Sequence, residues 1–162
     1  MADNPQNGTA TQAPPSLTIL TQYVKDLSFE NPEAPRSLGV RRTAPAINVA
    51  INVTVNPLDK DDYEVELKLE ARATEETKAL FVAELVYAGV FRLTNVPKDN
   101  LPPLLMIECP RLLFPFARQI IAEVTRNGGF PPLLIDPVDF TTLYRQRLSE
   151  LQNQQTQGAR PS

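Results

Sequence analysis

Asp26, Ser28 and Glu30 stand at alternate positions of KDLSFE, so on an extended strand all three project from one face. Two carboxylates flanking a hydroxyl are the residue types of acid/base work, one acid protonated and its neighbour ionised. The same spacing also describes a solvated strand edge, the ordinary place for charged side chains. Glu64, Glu66 and Glu70 repeat the alternation in YEVELKLEA and read as an exposed face rather than a metal cage. Cys109 opens an apolar run, where a helix start would lower a thiol pKa. A buried, inert cysteine is the competing reading, and with no base at hand Cys109 receives no catalytic role.

The chain of 162 residues contains no histidine. That removes Ser/His and Cys/His dyads, His-based metal sites and the usual proton shuttle near neutral pH. Six glycines and the absence of G-x-x-x-x-G-K, G-x-G-x-x-G, C-x-x-C and G-x-S-x-G leave no phosphate-cradling loop or nucleophile elbow. The sequence implies no cofactor and no metal. With 16 basic and 19 acidic residues, a net charge of −3 speaks against a nucleic-acid partner. Residues 57–84 hold nine acids and four bases, so this segment is expected to form an acidic surface when folded. A single cysteine fits a reducing compartment. No run is long and apolar enough for a membrane span, and the polar start lacks a secretory layout, so the expected location is the cytoplasm, without membrane insertion.

The elements that position these residues change character midway. LTILTQYVKDLSFE (17–30) alternates Leu17, Ile19, Tyr23, Leu27 and Phe29 against Gln22, Asp26, Ser28 and Glu30, a long strand. NPEAPRSLGVRRTAP (31–45), with its prolines and glycine, reads as a crossing loop. INVAINVTV (47–55) and YEVELKLEA (63–71) are strands with one apolar and one wet face, as in an antiparallel meander. ALFVAELVYAGVFRL (79–93) is apolar on both faces and needs cover on both.

Helical spacing follows. Apolar positions 112, 113, 114, 116, 117, 120, 121 and 124 form a stripe wider than a surface helix requires. Pro110 suits a first helical position, Pro115 is expected to bend the opening turns, and Asn127, Gly128 and Gly129 supply the stop. FPPLLIDPVDF (130–140) reads as an extended connector. Asp136 or Asp139 then caps a last helix from about Val138 to Leu151, with Phe140, Leu143, Tyr144 and Leu148 on one side. The expected organisation is one domain, 17–151, between disordered tails at 1–16 and 152–162. A four-stranded sheet with one apolar face and one helix apolar on most sides leaves more apolar surface than a small monomer covers, which favours an oligomer.

YVKDLSFENPEAP (23–35), YEVELKL (63–69), LVYAGVF (85–91), ECPRLLFPFARQ (108–119), RNGGFPPLLIDPVDF (126–140) and LYRQRL (143–148), in this order, resemble the SecB family of bacterial export chaperones. The resemblance runs from about residue 17 to 151. It implies an α+β subunit with a four-stranded antiparallel sheet, a long helix and a C-terminal helix, assembled as a dimer of dimers, a homotetramer with helices sandwiched between sheets. It further implies ATP-independent binding of unfolded precursor proteins and their delivery to the SecA motor. The motor-contact surface implied is Asp26, Ser28, Glu30, Val82 and Glu84, facing a basic, zinc-bearing tail whose zinc belongs to SecA. The client surface implied is Leu27, Phe29, Leu38, Val40, Phe130, Leu133, Phe140 and Tyr144. Where some relatives carry a large aromatic, the crossing loop here reads SLGVRRTAP, with Arg41 and Arg42. Two other classes remain open on the residues: a SecB-like chaperone for a different client such as a toxin–antitoxin pair, and an enzyme or small-ligand carrier on the same sheet.

Overall fold

A computed structural model describes residues 13–158. Residues 1–12 and 159–162, the outer parts of the two expected tails, lie outside the described residues. Four strands, β1 (Ser16–Glu30), β2 (Ala46–Pro57), β3 (Asp62–Glu75) and β4 (Lys78–Thr94), form one antiparallel sheet in the order β1-β4-β3-β2. The alternation in each strand sends Val53, Val65, Leu67, Leu69, Leu85 and Phe91 to one face, where they are buried. Helix α2 (Cys109–Asn127) lies across that face with Leu113, Phe114, Ala117 and Ile121 buried against it. Gly89 permits the close approach, because a Cβ there would stand 3.0 Å from Leu113 Cδ2.

Three features differ from the sequence reading, two at element boundaries and one within a strand. Helical backbone begins well before Pro110, with a single turn α1 (Leu101–Pro103) followed by a π-helical turn, Leu104–Glu108. The wide turn falls directly before Pro110, which has no N–H to offer the carbonyl of Met106. Pro115 lies within α2 on its exposed side, as does Arg111, whose carbonyl loses its i+4 N–H partner there. The last helix, α3, runs Phe140–Gly158, past the expected end at Leu151. Its start settles the choice of cap: Asp139 accepts from the Thr142 N–H at 3.2 Å and the Thr142 hydroxyl at 2.8 Å. Those bonds hold its carboxyl below the usual carboxylate range.

The third difference is in β1. Register slips between Ile19 and Thr21 and between Val24 and Asp26 leave Leu20 and Lys25 as extra residues. Between the two bulges the faces exchange, so Tyr23, expected beside Leu17 and Phe29, turns to the opposite, outer face. Val24 takes its place on the helix side, opposite Tyr87.

The connector after α2 is tied down by one buried hydroxyl. Thr125, fully buried, donates to the Ile121 carbonyl at 2.9 Å and accepts from the Leu133 N–H at 2.9 Å. Arg118 Nε adds a bond to the Ile135 carbonyl at 2.7 Å. Thr125→Val keeps the shape and orphans the Leu133 amide, so a loss of about 1–2 kcal/mol is expected by urea denaturation. An unchanged midpoint would mean the connector is held by apolar packing alone.

Candidate functional site

On the outer face the register brings Asp26, Ser28 and Glu30 together with Val82 and Glu84. Ser28 lies opposite Glu84, Glu30 opposite Val82 and Asp26 opposite Val86. The second bulge of β1 is what restores this phase, since Asp26, Ser28 and Glu30 all follow Lys25. The next strand contributes Lys68, Glu70 and Arg72 in the same rows. The outer face is therefore acidic with bases set into it.

Sequence reasoning missed the polar network at the other end of this face. The Tyr23 hydroxyl donates to Glu64 Oε2, Lys25 Nζ donates to Glu64 Oε1 at 3.0 Å and to Glu66, and Asn56 Nδ2 donates to Glu64 Oε1 at 2.9 Å. Burial, then the bond to Glu64, pushes the Tyr23 hydroxyl up to about 12. The Tyr23 hydroxyl, helped by Asn56 and Lys25, holds Glu64 down at about 2. Hydrogen bonds to Glu66 and Glu64 hold the Lys25 ammonium above its ordinary range.

A depressed carboxyl stabilises the fold above its unfolded pKa, near 4.5, and that contribution disappears as pH falls toward 2. Glu64→Gln should thus be less stable than the parent at neutral pH, with the gap closing below about pH 4.5. Urea midpoints of both proteins at a series of pH values check this. A gap that stays constant into acid would show that the ionised form of Glu64 contributes nothing.

The opposite face carries an apolar groove at the Glu30 end of β1. There the inner rows of the sheet are narrow: Ala71 pairs with Ala83, and Ala73 lies between Ile47 and Phe81. The small side chains leave room for three rings. Phe29 stacks on Phe81 at 5.7 Å, Phe130 tilts onto Phe81 at 4.9 Å, and Phe29 meets the edge of Phe130 at 6.5 Å. Two glycines close the end of α2 against them. A Cβ at Gly128 would reach 2.3 Å from the Phe29 ring, and Gly129, at φ +92°, seats Leu38 against its backbone. The groove holds about 490 Å³ and is lined by Ile47, Phe81, Phe130 and Leu133 with Arg41 and Arg42 at the rim.

The eight residues expected at a client surface divide. Phe29, Leu38, Phe130 and Leu133 gather around this groove, with Val40 fully exposed beside it. Leu27 lines a second groove of about 350 Å³ with Tyr87, Phe116, Ile120 and Val124. Tyr144 lines a third, about 380 Å³, with Ile51, Met106 and Leu143, where Arg147 donates to the Val53 carbonyl at 2.6 Å. Phe140 lines none of the three. It is 1 % exposed and sits edge-on to Phe114 at 6.0 Å, a core residue at the start of α3. Phe81 and Ile47 were the residues missed, although their apolar positions on alternating strands were the available signal. Cys109 is fully buried, and burial pushes its thiol up to about 12.

Shallow apolar grooves rimmed by polar groups, on a rigid sheet, define a binding scaffold suited to extended apolar chains. The family model for SecB, preprotein translocase subunit SecB, matches residues 10–151. The protein-export protein SecB of Rhodopseudomonas palustris (strain HaA2) is 59 % identical over 150 residues, covering 91 % of this chain and 95 % of the relative. That of Azorhizobium caulinodans is 56 % identical over 155 residues, covering 94 % and 97 %. The chain belongs to the SecB family. In its fold it is similar to the SecB-like chaperone of Mycobacterium tuberculosis, solved with a peptide from the HigA1 antitoxin. The TM-score there is 0.63 at 13 % identity, over 75 % of this chain and 90 % of that one. No helix among the described residues is long and apolar enough to cross a membrane.

Proposed function

We propose that the chain is an ATP-independent export chaperone of the cytoplasm: it holds unfolded precursor proteins and delivers them to SecA. The observation that carries this is family membership at 56–60 % identity to relatives named protein-export proteins. The geometry supports it physically. Binding to apolar grooves is non-directional, so many sequences can be held with modest discrimination and without an energy source.

In this reading the cluster of Phe29, Leu38, Phe130 and Leu133 with Val40 forms the main client groove, and Phe81 and Ile47 join it as floor. Tyr144 belongs to a further station along a long client, whereas the groove of Leu27 and Phe116 is taken up by the contact between subunits. Phe140 acts only by supporting α3. Asp26, Ser28, Glu30, Val82 and Glu84 form the docking face for SecA, and the assembly is a dimer of dimers. A toxin–antitoxin client draws no support here, because a likeness at 13 % identity speaks to fold alone.

Light-scattering mass after size exclusion tests the proposal, for the protein alone and with a secretory precursor added unfolded or already folded. A tetramer that gains mass only with the unfolded precursor is expected. A chain that ignores both forms would overturn the holdase role.

A further inference from the structure

The groove beside β2 differs from the other apolar surfaces in the charge of its rim. The Arg41 side chain is 19 % exposed, with its guanidinium 5.9 Å from the centre of the Phe130 ring. Its one ion pair among the described residues is a loose one, 3.7 Å to Glu75, whose side chain is 44 % exposed. Arg42 is exposed and has no ion pair among the described residues. Between Ala34 and Pro45 the sequence has Arg36, Arg41 and Arg42 and no acid, on a chain whose net charge is −3. The loop thus sets positive charge over an apolar floor, while the outer face of the same sheet is acidic.

A guanidinium stacked on a ring keeps its N–H edge free, and that edge matches a carboxylate in two parallel hydrogen bonds. A client carboxylate here would meet two forks, one held in place and one exposed, with only an exposed glutamate in competition. We propose that this groove selects extended apolar segments carrying Asp or Glu beside the apolar anchor, with Arg41 and Arg42 as its specificity-determining residues. The proposal rests on the chaperone reading and adds the chemistry of the preferred client. It also separates the two surfaces by sign: a basic docking segment is drawn to the outer face and repelled by the groove.

Fluorescence anisotropy with three labelled, unstructured peptides tests this. They share one Leu-Phe-Val centre and differ only in flanking Asp, Asn or Lys. The Asp peptide should bind about fivefold or more tightly than the Lys peptide, with Asn between and the spread narrowing as salt rises. In R41Q/R42Q the spread should collapse to less than about twofold, and R41K/R42K should keep its sign. Arg42→Gln alone, at an exposed position that supports nothing, should remove part of the preference even if losing Arg41 loosens the groove. Equal binding of the three peptides, or a preference that survives R41Q/R42Q, while an unfolded precursor is still held, would overturn this inference and leave the chaperone reading standing. Failure to bind either the peptides or the precursor would remove both.

Discussion

Reversing the charge at Asp26, Glu30 and Glu84 together should abolish docking to SecA while leaving capture of an unfolded precursor unchanged. Asp26 and Glu30 are exposed at the open edge of the sheet, and Glu84 is half-buried on the same outer face. None supports the core, so the fold should tolerate the change with little loss of stability. A basic partner segment would lose three attractive contacts and meet three repulsive ones. Each rim contact is worth about 1 kcal/mol or less, but the swing from attraction to repulsion at three adjacent positions compounds to a loss of about a hundredfold or more.

Two measurements separate this from a general charge effect. Asp59 and Asp61 lie in the turn between β2 and β3, at the far end of the sheet. Their reversal changes net charge comparably and should leave docking near its parent value. Raising salt should weaken docking of the parent and have little effect on what remains in the triple variant. Docking that survives the triple reversal would place the motor contact elsewhere, and equal damage from the turn variant would reduce the contact to bulk charge. Val82 lies directly opposite Glu30, and in the proposed docking face it would supply an apolar component that salt leaves intact.

Most of the sheet was legible because period-two alternation is a direct consequence of burying one face. The residues that defeated the pattern are those where local geometry departs from it. Leu20 and Lys25 are bulged residues, and LTILTQYVKDLSFE alternates plausibly with or without them, so the outward turn of Tyr23 had no local signature. The network of Tyr23, Lys25 and Glu64 followed from that turn and was equally hidden. The early start of the helix did have a signal: Pro102 and Pro103 follow Asn100 as prolines do in a first turn. The residues of α3 beyond Leu151 are rich in glutamine, a fair helix former, yet that composition also describes a tail. Phe140 was misplaced because the resemblance carried it over to a client surface, and neither a matching motif nor the side of a helix says how deep a residue lies. Here Phe114 of α2 meets it edge-on and the surrounding core buries the rest. In the candidate site, side-chain identity was readable and depth was not. The narrowing by Ala71, Ala73 and Ala83 that admits Phe81 and Phe130 to one groove is a matter of register between three strands.

The largest expected effect on assembly comes from Phe116→Asp, which should convert the proposed tetramer to smaller species. Phe116 is 48 % exposed on the isolated chain although it stacks on Tyr87 at 6.2 Å. Leu112 on the same helix and Val24 and Leu27 on β1 are exposed to a similar degree, and the groove between them is open. A helix apolar on its solvent side is costly in a lone subunit, and covering it against the same surface of another copy removes that cost. The two edges of the sheet are not equivalent in this respect, because on β2 the Val53 carbonyl is already taken by Arg147 of α3. In a two-fold interface each substitution is counted twice, so a carboxylate placed in the apolar contact should lower the association constant about a thousandfold or more. Leu58→Asp, equally exposed but in the turn between β2 and β3, should leave the mass unchanged. Far-ultraviolet circular dichroism should be the same for all three proteins, since neither site is in the core of the subunit. If the F116D protein kept the parent's light-scattering mass, the face of α2 beside β1 would be free in the assembly and available to clients instead.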